Sequence, residues 1–274
     1  MKVPEKRGHK AKRSLGQNFL YDETYIEKII KAVDAGPGQA VIEIGPGRGA
    51  LTSGLARSGA EVIALELDRR LIAPLRVLFH SAPNVRVVEQ DALTADFRAI
   101  LFESASPGSS STSVKLAANL PYNISTAILQ SLAGQRELFS ELVLMFQREV
   151  ADRISARPGN SDRGFLTVLA ESAFTIERLF DVPPQAFRPV PKVWSSVVRL
   201  IPKPKIPAEE GLRNLLSVGF AQKRKTIANN LKGVYPNYLE SLDKAGIEPI
   251  NRAEALSLED WLRLNGAIAR PRVG

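Results

Sequence analysis

The sequence contains no cysteine and only two histidines, His9 and His80. Disulfides and thiolate metal sites are excluded, and neither a zinc centre nor a histidine-based triad finds its usual residues. Long apolar runs are missing as well. None reaches the ~18 residues that a bilayer-crossing helix requires, and the charged N-terminus has no hydrophobic segment behind it. These absences lead us to expect a soluble, cytoplasmic chain without membrane or metal partners. Its chemistry must then be carried by carboxylates, amides, backbone groups or a bound cofactor.

What is present is an uneven charge. The net charge is +8, and residues 1–13 set Lys2, Lys6, Arg7, Lys10, Lys12 and Arg13 against one acid, Glu5. Such a polycation either solubilises the chain as a tail or seeks the phosphates of a nucleic acid. Lys outnumbers Arg there and no amphipathic period is visible, which disfavours a mitochondrial leader.

At 274 residues the chain exceeds one typical core, so a large domain with a smaller companion is expected. Tyr25-Ile26, Ile29-Ile30 and Val33 recur at helical spacing before Gly36-Pro37-Gly38 stops the helix. Apolar runs at 40–44, 61–67, 85–89, 114–118 and 142–146 then alternate with helical segments, the pattern of a parallel sheet with crossover helices. Two further β-like runs, 175–182 and 195–201, flank a Pro-rich stretch and fit an antiparallel edge of that sheet. The Ser-rich stretch 104–113 reads as a loop. Pro202, Pro204 and Pro207 make an extended linker, after which Leu212, Leu215-Leu216, Phe220, Ile227 and Leu231 begin the first of three helical stripes. The expected organisation is a basic tail over 1–14, an α/β domain over 15–202 and an all-helical domain over 203–274.

Four constellations carry chemistry. In Glu43-Ile44-Gly45-Pro46-Gly47-Arg48-Gly49 a strand runs into a Gly-rich turn, where a ligand can approach backbone that a Cβ would shield. Glu66, with Leu67 after it, ends the next strand at a place where a carboxylate can accept both ribose hydroxyls of a nucleoside. Asp91-Ala92 closes the third strand: the acid can accept from an adenine amine, and the small residue leaves room for the ring. Three strand ends of this kind on one edge point to an adenosine-containing cofactor. The fourth is Asn119-Leu120-Pro121-Tyr122. Adenine N6 is a poor nucleophile, and acceptors for its N–H bonds draw electron density onto nitrogen and align it for attack. The Asn119 side chain and the Leu120 carbonyl can accept, Pro121 takes the chain out of the ladder, and Tyr122 can stack on a base removed from its helix. A tight strand-to-helix turn and a Pro turn with a core Tyr remain the plain structural alternatives.

With these motifs the sequence resembles the ribosomal RNA adenine dimethyltransferase family, over a span from about Lys12 to about Trp261. Further matching pieces are Leu15-Gly16-Gln17-Asn18-Phe19-Leu20, Phe187-Arg188-Pro189-Val190-Pro191-Lys192-Val193 and Lys223-Arg224-Lys225-Thr226-Ile227-Ala228-Asn229-Asn230-Leu231. The resemblance implies a Rossmann-like class I S-adenosylmethionine-dependent methyltransferase with a seven-stranded, mostly parallel sheet and a small helical C-terminal domain. It implies dimethylation of N6 on two adjacent adenosines near the 3′ end of small-subunit rRNA during ribosome assembly; nothing in the sequence demands more than a monomer. Gln17, Asn18 and Leu20 would meet the methionine end of the cofactor, Gly45, Pro46, Gly47 and Gly49 its turn, Glu66 and Leu67 the ribose, Asp91 and Ala92 the adenine. Asn119 would contact both cofactor and target amine, with Leu120, Pro121 and Tyr122 around the target and Phe187 on the other face of its base. Lys10, Lys12, Arg13, Lys192, Lys223, Arg224 and Lys225 would contact RNA, although Arg224 also falls on the apolar stripe four residues after Phe220. Where the family commonly has Tyr before a Gly and Gln seven residues after it, this chain has Arg163-Gly164 and Glu171. The competing readings are a large-subunit rRNA methyltransferase of the antibiotic-resistance type, a non-catalytic RNA-binding assembly factor and, more distantly, a nicotinamide-dependent oxidoreductase.

Overall fold

The computed structural model describes residues 17–104 and 114–268. Lys10, Lys12 and Arg13 with the rest of the basic tail, Leu15 and Gly16, and residues 105–113 of the Ser-rich stretch lie outside the described residues. The chain forms two compact units. One comprises residues up to Ala151 together with Thr175–Pro202, the other Asp152–Phe174 with the residues from Lys203 onward. The stretch 152–174, which the sequence reading assigned to the α/β domain, therefore belongs with the helical unit.

The first unit begins with β1 (Phe19–Leu20) and α1 (Glu23–Val33). The Asp22 carboxylate caps α1 by accepting from Thr24 N at 2.9 Å, and Ile26, Ile29 and Val33 bury one face. Crossover units follow: β2 (Ala40–Ile44), α2 (Ala50–Arg57), β3 (Glu61–Glu66), α3 (Arg69–Leu78), β4 (Val85–Glu89), α4 (Phe97–Ser104), β5 (Val114–Asn119), α5 (Ser125–Gly134) and β6 (Glu141–Gln147). All five residues of β2 are buried, as expected for a central strand covered by helices on both faces. After α6 (Arg148–Ile154) and α7 (Phe165–Ala173), the chain returns through β7 (Phe174–Val182), the two-residue β8 (Phe187–Arg188) and β9 (Ser195–Pro202).

The main sheet has the order β4-β3-β2-β5-β6-β9-β7. Strands β2 to β6 pair in parallel, and β9 runs antiparallel to β6 with Gln147 opposite Ser195. The chain winds outward from β2 to β4, then crosses back to place β5 on the other side of β2. That reversal opens a crevice at the carboxyl ends of β2 and β5, where open α/β sheets bind ligands. A second, two-stranded ladder escaped the sequence reading: β1 pairs with β8, Leu20 opposite Phe187.

In the second unit α7 packs with α8 (Glu209–Gly219), α9 (Ile227–Leu231), α10 (Tyr238–Lys244) and α11 (Leu258–Ala267). Leu212, Leu215, Leu216, Leu231, Leu242 and Trp261 fill its core. The stripe read as continuous from Leu212 to Leu231 is broken. Helix α8 ends at Gly219, where a Cβ would run into the Trp261 indole, and Phe220 packs on that ring at 5.3 Å. Lys223, Arg224 and Lys225 consequently lie exposed on a loop, and Arg224 does not join the apolar face.

The two departures from the family pattern prove to be one feature. Arg163 is 1% exposed and its Nη2 meets Glu171 Oε2 at 2.7 Å. Its Nε donates to Leu256 O at 3.1 Å and its Nη1 to Ala156 O at 2.9 Å. A planar guanidinium with five donors serves three acceptors on three segments, which the neutral pair could not do in the same way. Among the described residues no helix is long and apolar enough to cross a membrane.

Candidate active site

The crevice lies within the first unit and is built from strand ends. Leaving β2, Gly45 (φ +70) and Gly47 (φ +58) take left-handed conformations that favour glycine. A Cβ on Gly47 would stand 2.9 Å from Phe19 Cδ1, and one on Gly45 would approach Asn119 O at 4.0 Å, so the turn, β1 and β5 meet here at backbone distance. Gly49 departs from expectation. It begins α2 with its own φ of +80, packs against Phe79 and does not line the crevice.

Three carboxylates hold the turn and its neighbours. Glu66, 6% exposed, accepts from Gly47 N at 3.1 Å and from Asp68 N at 2.8 Å, which binds the end of β3 to the Gly-rich turn. Burial pushes its carboxyl above the usual range, and the backbone donors of Asp68 and Gly47 pull the other way. Glu43, 1% exposed, accepts from Thr52 Oγ1 at 2.6 Å. Burial drives it up to about 7 against the Thr52 hydrogen bond, with a further upward push from Glu66. Asp68 goes the other way, held well below the ordinary range chiefly by the Arg70 guanidinium. It also accepts from Gln17 Nε2 at 3.1 Å, which fixes the N-terminal wall of the crevice.

Asp91 and Ala92 line the crevice beyond Glu66, with Asp91 Oδ1 accepting from Leu93 N at 2.9 Å. Gln17, Asn18, Leu20, Pro46 and Leu67 line it too. Sequence reasoning missed Phe19, Arg48 and Gln90; the Arg48 guanidinium lies 4.9 Å over the Phe19 ring. Phe19 and Arg48 stand far apart in the sequence, so nothing local in it announces their contact. These residues fit an adenosine-containing cationic cofactor: the turn leaves space a Cβ would fill, and the carboxylates of Glu43, Glu66 and Asp91 outnumber the one guanidinium, Arg48, in the lining. No cluster of three or more potential metal ligands occurs among the described residues.

At the end of β5, Asn119 Nδ2 donates to Asn18 O at 3.1 Å. A carbonyl only accepts, so this bond fixes the amide orientation and leaves Oδ1 as the acceptor that Asn119 presents. Leu120 N donates to Met145 O at 3.3 Å, and among the described residues nothing donates to the Leu120 carbonyl. Pro121 O accepts from Ile124 N as the chain turns into α5. Tyr122 lines the crevice half-buried, with its hydroxyl 2.8 Å from Ser195 Oγ. Burial raises that phenol.

Phe187 requires a correction. Its side chain is fully buried in the core with Leu20, Met145 and Val197, so it offers no surface to cover a base. The ladder to Leu20 explains why: an inward-facing residue of β8 closes the core beneath the N-terminal wall. Of the RNA candidates that are described, Lys192 is exposed on the first unit and Lys223, Arg224 and Lys225 on the second.

Residues 8–270 match the family model described as ribosomal RNA adenine dimethylase. Ribosomal RNA small subunit methyltransferase A of Laribacter hongkongensis is 44% identical over 265 residues, covering 94% of this chain and 95% of the relative. Its counterpart in Geobacter metallireducens is 43% identical over 271 residues, covering 95% and 96%. Among solved structures, a dimethyladenosine transferase from Plasmodium falciparum superposes with a TM-score of 0.74 at 29% identity, covering 91% of this chain and 99% of that one. The 23S rRNA methyltransferase ErmE gives 0.66 at 28%, covering 92% and 99%. The fold is that of class I S-adenosylmethionine-dependent methyltransferases, and with the match to the family model and the curated relatives it leaves one assignment: the chain belongs to the ribosomal RNA adenine dimethylase family.

Proposed function

We propose that this chain transfers methyl groups from S-adenosylmethionine to N6 of two adjacent adenosines in the 3′-terminal hairpin of small-subunit rRNA, giving N6,N6-dimethyladenosine during ribosome assembly. The observation that carries the reading is the pair of unengaged acceptors, Asn119 Oδ1 and the Leu120 carbonyl, beside the glycine turn of a crevice that fits the cofactor. Curated relatives at 41–44% identity named for the small subunit support that subunit over the large one. The protein acts in the cytoplasm as a monomer on the assembling subunit.

The cofactor supplies an electrophilic methyl group when bound. Gly45 and Gly47 would let it approach backbone, Glu66 would accept from its ribose and Asp91 from its adenine amine. Asn119 Oδ1 and Leu120 O accept the two N6–H bonds of the target, which turns the nitrogen lone pair out of conjugation and toward the methyl carbon. Tyr122 stacks on the extruded base, held by Ser195. The N6 proton becomes strongly acidic once nitrogen is alkylated and leaves to water, so no side chain has to act as base. Exposed Lys192, Lys223, Arg224 and Lys225, with Lys10, Lys12 and Arg13 of the tail, contact phosphates.

Labelled S-adenosylmethionine is incubated with the protein and unmethylated small or large subunits, and modified adenosines are mapped. Label on two adjacent adenosines near the 3′ end of the small-subunit rRNA is expected. Label in the large subunit alone would move the assignment to the resistance branch, and label in neither would leave an RNA-binding factor.

A further inference from the structure

Of the two tryptophans in the chain, Trp261 is fully buried, whereas Trp194 is 46% exposed. Leaving so much indole in water is unfavourable unless something covers it. Its backbone is fixed: the Trp194 carbonyl accepts from Arg148 N at 2.9 Å, one rung beyond the pairing of Gln147 with Ser195. The next residue, Ser195, holds the Tyr122 hydroxyl. Because β9 runs antiparallel to β6, Trp194 stands at the same sheet edge as the carboxyl ends of β5 and β6.

The segment leading to Trp194 indicates what covers it. From Arg188 to Trp194 the exposed cations Arg188 and Lys192 interleave with exposed Val190 and Val193, and no acid occurs. The Arg188 guanidinium lies 4.5 Å over the ring of Tyr21, another half-exposed aromatic. Exposed cations set beside two exposed aromatics, Tyr21 and Trp194, match a partner that offers phosphates and flat rings together, which is unpaired RNA. A second copy of this basic chain would instead meet its own repulsion.

We propose that Trp194 is a stacking platform for an unpaired nucleobase adjoining the target adenosine, with Arg188 and Lys192 on the flanking phosphates. The inference rests on the rRNA reading of the site and adds a position that helps select the substrate. Trp194→Ala and Trp194→Phe are assayed with labelled S-adenosylmethionine and unmethylated small subunits. The expected result is a KM for the subunit raised roughly five- to a hundred-fold in the Ala variant, with kcat changed far less, cofactor Kd unaltered and partial recovery in the Phe variant. In a second measurement, a short RNA hairpin with two adjacent adenosines in its loop quenches the indole fluorescence of the natural chain. The Ala variant, left with buried Trp261, shows no quenching. An unchanged KM, quenching that persists in the Ala variant, or a dimer that dissociates on losing Trp194 overturns the proposal. If the natural chain methylates neither subunit, the functional reading fails by itself, and the hairpin titration still decides whether Trp194 stacks.

Discussion

Replacing the Arg163–Glu171 pair tests whether two departures from the family pattern act as one. Arg163→Tyr removes a buried guanidinium that serves Glu171, Leu256 O and Ala156 O. It leaves two backbone acceptors to find new donors. An unsatisfied buried acceptor costs about 1–3 kcal/mol. Breaking a buried ion pair from one side costs about 3–5 kcal/mol. The Glu171 side chain is 36% exposed, so water can recover part of its loss and the lower end applies. We expect about 3 kcal/mol for Arg163→Tyr. Glu171→Gln keeps an acceptor but strands the buried cation, and about 2 kcal/mol is expected. If the residues act as a unit, the double variant loses at least 1 kcal/mol less than the sum, since contacting partners couple by about 0.5–3 kcal/mol. Urea unfolding followed by far-ultraviolet circular dichroism measures all four corners of the cycle. Additive losses, within about 0.5 kcal/mol, would refute the coupling.

Three other perturbations address the crevice. Asn119→Ala should leave S-adenosylmethionine binding measurable by calorimetry while methyl transfer falls roughly a hundred-fold or more, and turnover near the natural rate would remove Asn119 from the reaction centre. Gly47→Ala forces a side chain into a left-handed backbone and against Phe19, so cofactor affinity should drop about ten-fold or more; an unchanged Kd would show that Phe19 simply moves aside. Glu43 binds its proton more tightly in the folded chain, at about 7 against 4.5. Stability should therefore fall as pH rises through that window, by roughly 3 kcal/mol for this group. Glu43→Gln removes that contribution, so the variant should gain on the natural chain between pH 5 and pH 8 in urea midpoints, and an equal difference at both pH values would contradict the assignment.

The α/β part was legible because its strands are short apolar runs bounded by turn residues, and because Gly45, Glu66, Asp91 and Asn119 each sit where such a run stops. Distance in sequence hid the rest. Three strands, β6, β7 and β8, lie between Tyr122 and Ser195 in the sequence, so their hydrogen bond leaves no local trace. Phe187 between prolines reads alike whether it faces a base or a core, and only the two-rung ladder with Leu20 decides it. The break between α8 and α9 depends on Gly219 meeting an indole that lies beyond two further helices. Stretch 152–174 carries helical periodicity that any unit could accept, and its partners come from residues after Lys203.

The small ladder of β1 with β8 has a thermodynamic consequence. Leu20 faces the cofactor crevice, and Arg188, opposite Phe19 in the same ladder, opens the segment that ends at Trp194. One pair of strands thus belongs to two binding events. If occupying either side draws these strands into one preferred arrangement, each ligand raises the affinity of the other by the same factor, because linkage is reciprocal. Four methyl groups on two adenosines require four exchanges of cofactor for each rRNA. Departure of the spent cofactor would then loosen the enzyme's hold on RNA, and binding of fresh cofactor would restore it, so the strength of that coupling would govern how many methyl groups are added per encounter.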